Sequence, residues 1–90
     1  MKIYIVMGET GEYSYHSSWL VCAYKDRTMA ERHEMEATKR ARTFSREDRY
    51  TPNFDARLKE VMGEYDPKCS MDYTGTDYCT LEVELRSKLP

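Results

Sequence analysis

The stretch that most restricts the fold is Lys2–Met7, "KIYIVM", an unbroken run of β-branched, aromatic and other apolar residues after its lysine. A strand with one wet face alternates polar and apolar residues, whereas a continuous apolar run is typical of a central strand covered on both faces. We therefore expect this segment to form the central strand of a sheet, with other elements packed over both of its faces.

Two further segments have the character of strands. Trp19–Tyr24, "WLVCAY", follows the first strand after a short glycine-containing loop, which favours an antiparallel hairpin. Residues 78–85, "YCTLEVEL", alternate, which predicts one wet face. The apolar row of this third strand consists of Cys79, Leu81, Val83 and Leu85. Its polar row consists of Thr80, Glu82 and Glu84.

Two helices are expected between the second and third strands. Thr28 with Glu31 reads as a capping box that starts the first helix. Three- and four-residue steps give that helix an apolar stripe of Ala30, His33, Ala37, Ala41 and Phe44. The second helix is expected at about residues 52–63, with Thr51 as its cap and Pro52 in its first position. Its apolar face consists of Phe54, Leu58, Val61 and Met62.

The order β-β-α-α-β predicts an α+β fold, with a three-stranded, mainly antiparallel sheet and both helices packed on one face. Ninety residues are enough for one domain, spanning residues 1–90. With the first strand central and antiparallel to the third, the exit of the first strand lies beside the entrance of the third. The loops at residues 8–15 and 71–78 are therefore expected to be neighbours.

Composition and spacing argue against several classes of function. The net charge of −2 is unlike that of a general nucleic-acid-binding protein, which needs clustered cations. The three cysteines lack CxxC spacing, and the two histidines stand at no zinc-finger distance, so we expect no metal site and no cofactor. "GETG" lacks the ending of a phosphate-binding loop, and "YSYHSS" is no nucleophile elbow, so we expect no enzyme.

The location of the protein follows from what the sequence lacks. No apolar run approaches the roughly 20 residues of a membrane span, and the first residues do not resemble a signal peptide. Free cysteines suit a reducing compartment. We therefore expect a cytoplasmic protein with no membrane partner.

The two loops "GETGEYSY" and "MDYTGTDY" are the main candidates for function, because each surrounds a Thr-Gly pair with carboxylates and tyrosines. Tyrosine is enriched where proteins bind proteins, and carboxylates pair with basic surfaces. Ordinary turn chemistry also accounts for the aspartates, so a binding patch and a purely structural role both stay open. The candidate partner-binding residues are Glu9, Glu12, Tyr13, Tyr15, Asp72, Tyr73, Asp77 and Tyr78.

A second candidate is a nucleic-acid-binding face on a basic helix at residues 39–49, formed by Lys39, Arg42, Arg46 and Arg49. Acidic residues are interleaved with these cations at distances of three or four residues, a pattern typical of a solvated, salt-bridged helix face. That interleaving favours the structural interpretation of the basic segment, and nucleic acid is not the expected partner.

The motifs also resemble those of small phage and prophage proteins of about this length. The likeness lies in "VMGETGEYS" at Val6–Ser14, in Trp19 of the second strand, and in "DYTGTDY" at Asp72–Tyr78 before the acidic "LEVEL". The resemblance implies a phage accessory protein, and some such proteins are anti-CRISPRs. It thereby implies an anti-defence protein in the bacterial cytoplasm that binds subunits of a type I CRISPR–Cas surveillance complex (Cascade) and blocks binding of target DNA.

Overall fold

A computed structural model describes all 90 residues and contains three strands and two α-helices. The strands are β1 (Lys2–Thr10), β2 (Ser17–Tyr24) and β3 (Thr76–Glu84), and the helices are α1 (Arg27–Ala41) and α2 (Phe54–Met62). The sheet has the order β2-β1-β3, and β1 is antiparallel to both neighbours. The predicted α+β fold with a central first strand is confirmed.

The helix α1 covers the sheet, and α2 packs against α1. Ala30, Ala37 and Ala41 are buried along α1, and their small side chains let the helix lie close to the strands. Phe44 and Phe54 join the two helical regions through an edge-to-face contact with ring centroids 5.4 Å apart. The core is correspondingly small and consists of Val6, Ala30, Ala37, Ala41, Phe44, Phe54, Leu58, Met62 and Tyr78.

Both predicted helix starts are wrong. Asp26 caps α1, because its side chain accepts a hydrogen bond from Thr28 N at 2.7 Å, and Thr28 already lies inside the helix. The second helix begins at Phe54 and not at Pro52, because Asn53 adopts a left-handed conformation with φ of 66°. The side chain of Thr51 does not cap it but donates to Asp48 O.

The basic helix expected at residues 39–49 does not exist as one element. The helix α1 ends at Ala41, where Arg42 N and Thr43 N donate to the carbonyls of Thr38 and Arg40 and tighten the last turn. Residues 47–50 form a separate single turn of 3-10 helix. Lys39 therefore lies on α1, Arg42 at its end, Arg46 in the connection and Arg49 in the 3-10 turn.

One face of the sheet is left uncovered, which corrects the expectation that β1 is buried on both sides. Val6 points toward α1 and is fully buried, so Ile3, Ile5 and Met7 point the other way. The register extends this parity to the neighbouring strands. We call this surface the open face; its apolar residues are Ile3, Ile5, Met7, Leu20, Ala23, Cys79, Leu81, Val83 and Leu85.

The alternation in β3 suggests that its polar row faces water and its apolar row faces the core. In the structure, the polar row lies on the helix side and the apolar row lies on the open face. Tyr78 packs into the core on the helix side, and the period of two then sends Leu81 to the open face, where it is 44% exposed. On the helix side, Glu82 is paired with Lys2 and Arg27 at 3.2 and 3.0 Å. The Cα atoms span 50 × 28 × 16 Å, and the shortest dimension has room for one helix layer on one sheet.

Candidate functional site

The two Thr-Gly loops lie side by side at one end of the sheet. In the β1–β3 pairing, Glu9 stands opposite Asp77 and Thr10 opposite Thr76, so the chain leaves β1 at the point where it enters β3. The expected neighbourhood of the loops is therefore confirmed. We call the surface formed by residues 8–15 and 71–78 the loop edge.

The threonines of the two loops hold the loop edge together. Thr10 Oγ1 donates to Gly75 O at 2.6 Å and accepts from Asp72 N at 2.9 Å, which connects residues more than 60 positions apart. Gly11 N donates to Thr74 Oγ1 at 3.1 Å. These bonds satisfy backbone groups that turns otherwise leave to water. The Thr-Gly pairs are thus structural, and they fix the relative position of the two loops.

Gly11 cannot be replaced by a residue with a side chain without moving the loop. Its φ of 87° lies in the left-handed region, and an added Cβ would stand 2.3 Å from Tyr15 O. The absence of a side chain at position 11 therefore allows the backbone to pass close to the carbonyl of Tyr15.

Tyr13 and Tyr15 are the most exposed large side chains of the loop edge, at 95% and 80%. Tyr13 is also held at φ of 51°, a left-handed conformation that costs a residue with a Cβ about 1–2 kcal/mol. Burial of its ring within the chain does not repay this cost. An aromatic side chain presented in this way is a candidate contact for a partner, because a binding role would account for both features.

Tyr78 does not belong to the exposed aromatic set, which corrects its place among the candidate residues. It is 8% exposed, and its hydroxyl donates to Asp66 Oδ2 at 2.7 Å. Burial and this hydrogen bond raise the pKa of the Tyr78 hydroxyl far above its ordinary value. Tyr78 is a core residue and not a surface contact.

Asp72 and Tyr73 have partners within the fold. The Asp72 carboxylate accepts from Thr74 N at 2.7 Å and Thr74 Oγ1 at 2.8 Å, and these bonds lower the pKa of Asp72. Asp72 therefore fits the turn interpretation. The Tyr73 ring faces the Arg46 guanidinium at 5.4 Å, and its carbonyl accepts from Arg49. About half of the Tyr73 side chain stays exposed beside this contact.

The remaining carboxylates of the loop edge surround a cleft of about 240 Å³. Glu9, Glu12 and Asp77 line it together with His16, whose Nε2 lies 3.2 Å from Glu9 Oε2. Asp77 is exposed, and the Arg42 guanidinium lies 3.9 Å from its carboxylate. The loop edge therefore presents an acidic concavity directly beside the exposed tyrosines, a combination suited to a basic partner group.

The basic residues of the alternative site form a flank of the same loop edge. Arg42, Arg46 and Arg49 reach toward Asp77, the Tyr73 ring and the Tyr73 carbonyl, respectively. Lys39 is exposed on α1 and lines a shallow hollow together with Arg42. Arg46 and Arg49 contact Tyr73, and the exposed Arg42 lies 3.9 Å from Asp77, so an aromatic ring and a carboxylate interrupt this cationic flank.

A buried carboxylate that the sequence did not single out supports the loop edge from beneath. Asp66 is 2% exposed and accepts from Trp19 Nε1 at 2.9 Å, Tyr78 Oη at 2.7 Å and Lys68 N at 3.2 Å. It thereby joins β2 and β3 to the segment that precedes the second loop. In the sequence, Asp66 precedes Pro67, a pair that by itself indicates only an extended or turn conformation. A buried Trp or Tyr needs a hydrogen-bond acceptor, and that need was the available signal for Asp66.

The indole of Trp19 lies flat over Gly8, which leaves no room for a side chain at position 8. A Cβ there would stand 2.6–2.8 Å from three atoms of the indole ring. This close approach carries the Trp19 Nε1–H across the sheet to Asp66. The glycine and tryptophan that both belong to the sequence motifs thus have one shared structural role.

His33 and the cysteines also have structural surroundings. His33 Nε2 lies 2.6 Å from Tyr65 O, and its Nδ1 lies 2.7 Å from Tyr24 Oη. Burial raises the pKa of the Cys22, Cys69 and Cys79 thiols.

Nowhere do three or more His, Cys, Asp or Glu side chains converge in a way that could hold a metal ion. None of the helices has the length and apolar character needed to cross a membrane.

Comparison with known proteins adds no relative. No protein-family model matches the chain, and no curated protein or solved structure gives a significant match. The resemblance to phage proteins stays a prediction from the sequence motifs, and the loop edge is the structural feature that indicates a function.

Proposed function

We propose that this chain is a phage-encoded anti-defence protein that acts by binding and not by catalysis. In this proposal, the loop edge docks into a basic groove of a host defence complex in the bacterial cytoplasm. The observation that carries the proposal is the position of Tyr13 and Tyr15, both almost fully exposed, beside the carboxylates of Glu9, Glu12 and Asp77.

The chemistry of the loop edge suits a groove lined by arginine. Carboxylates form bidentate hydrogen bonds with guanidinium groups, and tyrosine faces stack on the same groups. Grooves that hold nucleic acid are rich in arginine, and an acidic aromatic surface competes for the positions that phosphates and bases occupy. The proposed inhibitor therefore prevents the complex from holding its target DNA.

Rigidity of the loop edge supports tight binding. Hydrogen bonds of Thr10 and Thr74 connect the two loops before any partner is present. A surface that is already ordered loses less conformational entropy on association than a flexible loop does. The exposed tyrosines have few rotatable bonds, which lowers that cost further.

The resemblance of "VMGETGEYS" and "DYTGTDY" to motifs of phage proteins directs the choice of partner. Because some of those proteins are anti-CRISPRs, a type I CRISPR–Cas surveillance complex (Cascade) is the first partner to test. The proposal assigns no catalytic residue, cofactor or metal to the chain.

The test is capture of purified type I surveillance complexes by the tagged protein, followed by a target-DNA binding assay. Glu12→Lys with Tyr13→Ala should abolish capture, because the pair reverses one charge and removes one aromatic contact without touching the hydrogen bonds between the loops. Asp72 is unsuitable for this purpose because its carboxylate closes a turn. The matched control, Glu60→Lys with Tyr50→Ala, changes the same residue types at exposed positions outside the loop edge and should bind normally.

Failure of the wild-type protein to capture any such complex, with DNA binding by the complex unchanged, would refute the proposed partner. Equal loss of capture in the control pair would refute the assignment to the loop edge. Binding of the free protein to DNA in a mobility-shift assay at low salt, lost in Lys39→Glu, would instead favour the nucleic-acid alternative.

A further inference from the structure

We propose that two copies of this chain form a dimer by packing their open faces together. The open face carries nine apolar side chains on three adjacent strands and has no layer over it. Leu20, Leu81, Val83 and Leu85 are each more than one-third exposed. The patch is about as large as the largest apolar patch of a typical monomer, and such patches often mark interaction sites.

The charge distribution on the open face fits a second copy in one orientation. Glu9 and Asp77 stand opposite each other at the end of the sheet that bears the loop edge. Lys25 is exposed and directly follows Tyr24 at the other end, and no charged side chain lies between these ends on the apolar rows. If two faces stack with their strands antiparallel, the acidic end of each lies over the end of the other that bears Lys25. The parallel arrangement would place four carboxylates together, which opposes it.

The dimensions of the open face also suit a dimer. Three strands about 4.8 Å apart and nine residues long at about 3.3 Å per residue give a face of about 400 Å². Two such faces bring about 800 Å² of flat area together, and side chains that interdigitate raise the buried accessible surface above the roughly 1,000 Å² that specific interfaces require. The sheets would pack about 10 Å apart, as in a β-sandwich.

The dimer explains why β1 is apolar on both faces although α1 covers only one. Val6 packs in the core of its own chain, while Ile3, Ile5 and Met7 would pack in a second core shared between two chains. A two-fold axis perpendicular to the strands would place the two loop edges at opposite ends of the dimer. Tyr13 and Tyr15 would then lie outside the shared core, whereas Glu9 and Asp77 would take part both in the dimer contact and in the proposed binding surface.

The experiment is measurement of the molar mass by light scattering and sedimentation over the micromolar range. The wild-type protein should have twice the monomer mass of 10.7 kDa. Leu81→Lys places a charge in the middle of the apolar rows and should raise the dimer dissociation constant roughly a hundredfold or more. The control Met35→Lys makes the same kind of change at an exposed methionine of α1 and should leave the mass unchanged.

The orientation has its own test. Lys25→Glu should weaken the dimer at least about tenfold at low salt, because it sets like charges against each other. Adding Glu9→Lys to this variant exchanges the two charges and should restore the dimer. An unchanged dissociation constant in Lys25→Glu would refute the antiparallel orientation.

Three outcomes overturn the dimer itself: a monomeric wild-type protein, a folded Leu81→Lys variant that stays dimeric, or an equal effect of Met35→Lys. A monomer would leave the open face to a different protein or a lipid surface. If Leu81→Lys fails to fold by circular dichroism, Leu20→Lys at the more exposed edge strand provides the same measurement.

Discussion

Replacing Asp66 by alanine removes the acceptor on which the packing of β2 and β3 depends. The carboxylate, 2% exposed, accepts hydrogen bonds from Trp19, Tyr78 and Lys68. A hydrogen bond to a charged group contributes about 1.5–3 kcal/mol, and a buried donor left without a partner carries a further cost. Trp19 and Lys68 are partly accessible to water, so we expect a net loss of about 3–5 kcal/mol.

A loss of that size is a large part of the total stability of a small domain, about 5–15 kcal/mol. At about 4–8 °C for each kcal/mol, the melting temperature of Asp66→Ala should fall by at least about 12 °C. Urea and thermal unfolding followed by circular dichroism provide the measurement. Glu60→Ala removes a carboxylate from the exposed side of α2 and should change stability by less than about 0.5 kcal/mol.

A double-mutant cycle isolates the contact between Asp66 and Tyr78. Asp66→Asn and Tyr78→Phe each remove part of the hydrogen bond while keeping nearly the same shape. Because the two groups are 2.7 Å apart, their coupling energy should be about 1–2 kcal/mol. Additive effects in the cycle, or a stability of Asp66→Ala within about 1 kcal/mol of the wild type, would show that the reasoning about this buried carboxylate is wrong.

Three further predictions concern the loop edge and its support. Gly8→Ala should lower stability by about 2–3 kcal/mol in urea unfolding, because the new methyl group displaces the Trp19 indole, and a change below about 0.5 kcal/mol would contradict that contact. Tyr13→Gly should leave stability unchanged or raise it by up to about 1 kcal/mol, because it relieves the left-handed strain without removing packing, while a marked loss would mean that the ring has a structural role. Hydrogen bonds from Thr74 lower the native pKa of Asp72, so their stabilisation is present above its ordinary value of 3.8 and is lost as the pH falls through the lowered native value. The stability difference between wild type and Asp72→Asn should therefore shrink in acid, and a difference independent of pH would contradict it.

The sheet and the adjacency of the loops could be predicted because they depend on patterns that span several residues. The apolar run of β1 identified the central strand, and an antiparallel third strand then brought residues 9 and 77 together by topology alone. The helix starts depended on single residues. Asp26 and Thr28 are both residue types that cap helices, and the structure uses Asp26. The left-handed conformation of Asn53, which delays the start of α2, leaves no periodic pattern in the sequence.

The faces of β3 could not be assigned from alternation, because both parities offered apolar side chains. Leu81 and Val83 have greater hydropathy than the residues of the other row, yet Tyr78 faces the core. Its hydroxyl finds Asp66 there, and its ring fills the space beside the alanines of α1. In the orientation that β3 adopts, the Tyr78 hydroxyl has a buried partner, and Tyr78 lies in the interior and not in the candidate site.

The loop edge depends on segments separated by more than 60 positions along the chain, and this has a consequence for synthesis. Its second half, residues 71–78, leads into β3, so a ribosome must add at least the first 75 residues before Thr10 can meet Gly75. Domains acquire contacts from the N-terminus onward as they emerge, and pairings of high sequence separation form late. Chains that terminate before residue 72 therefore lack the contacts of Thr10 with the second loop, and with them the complete acidic aromatic surface.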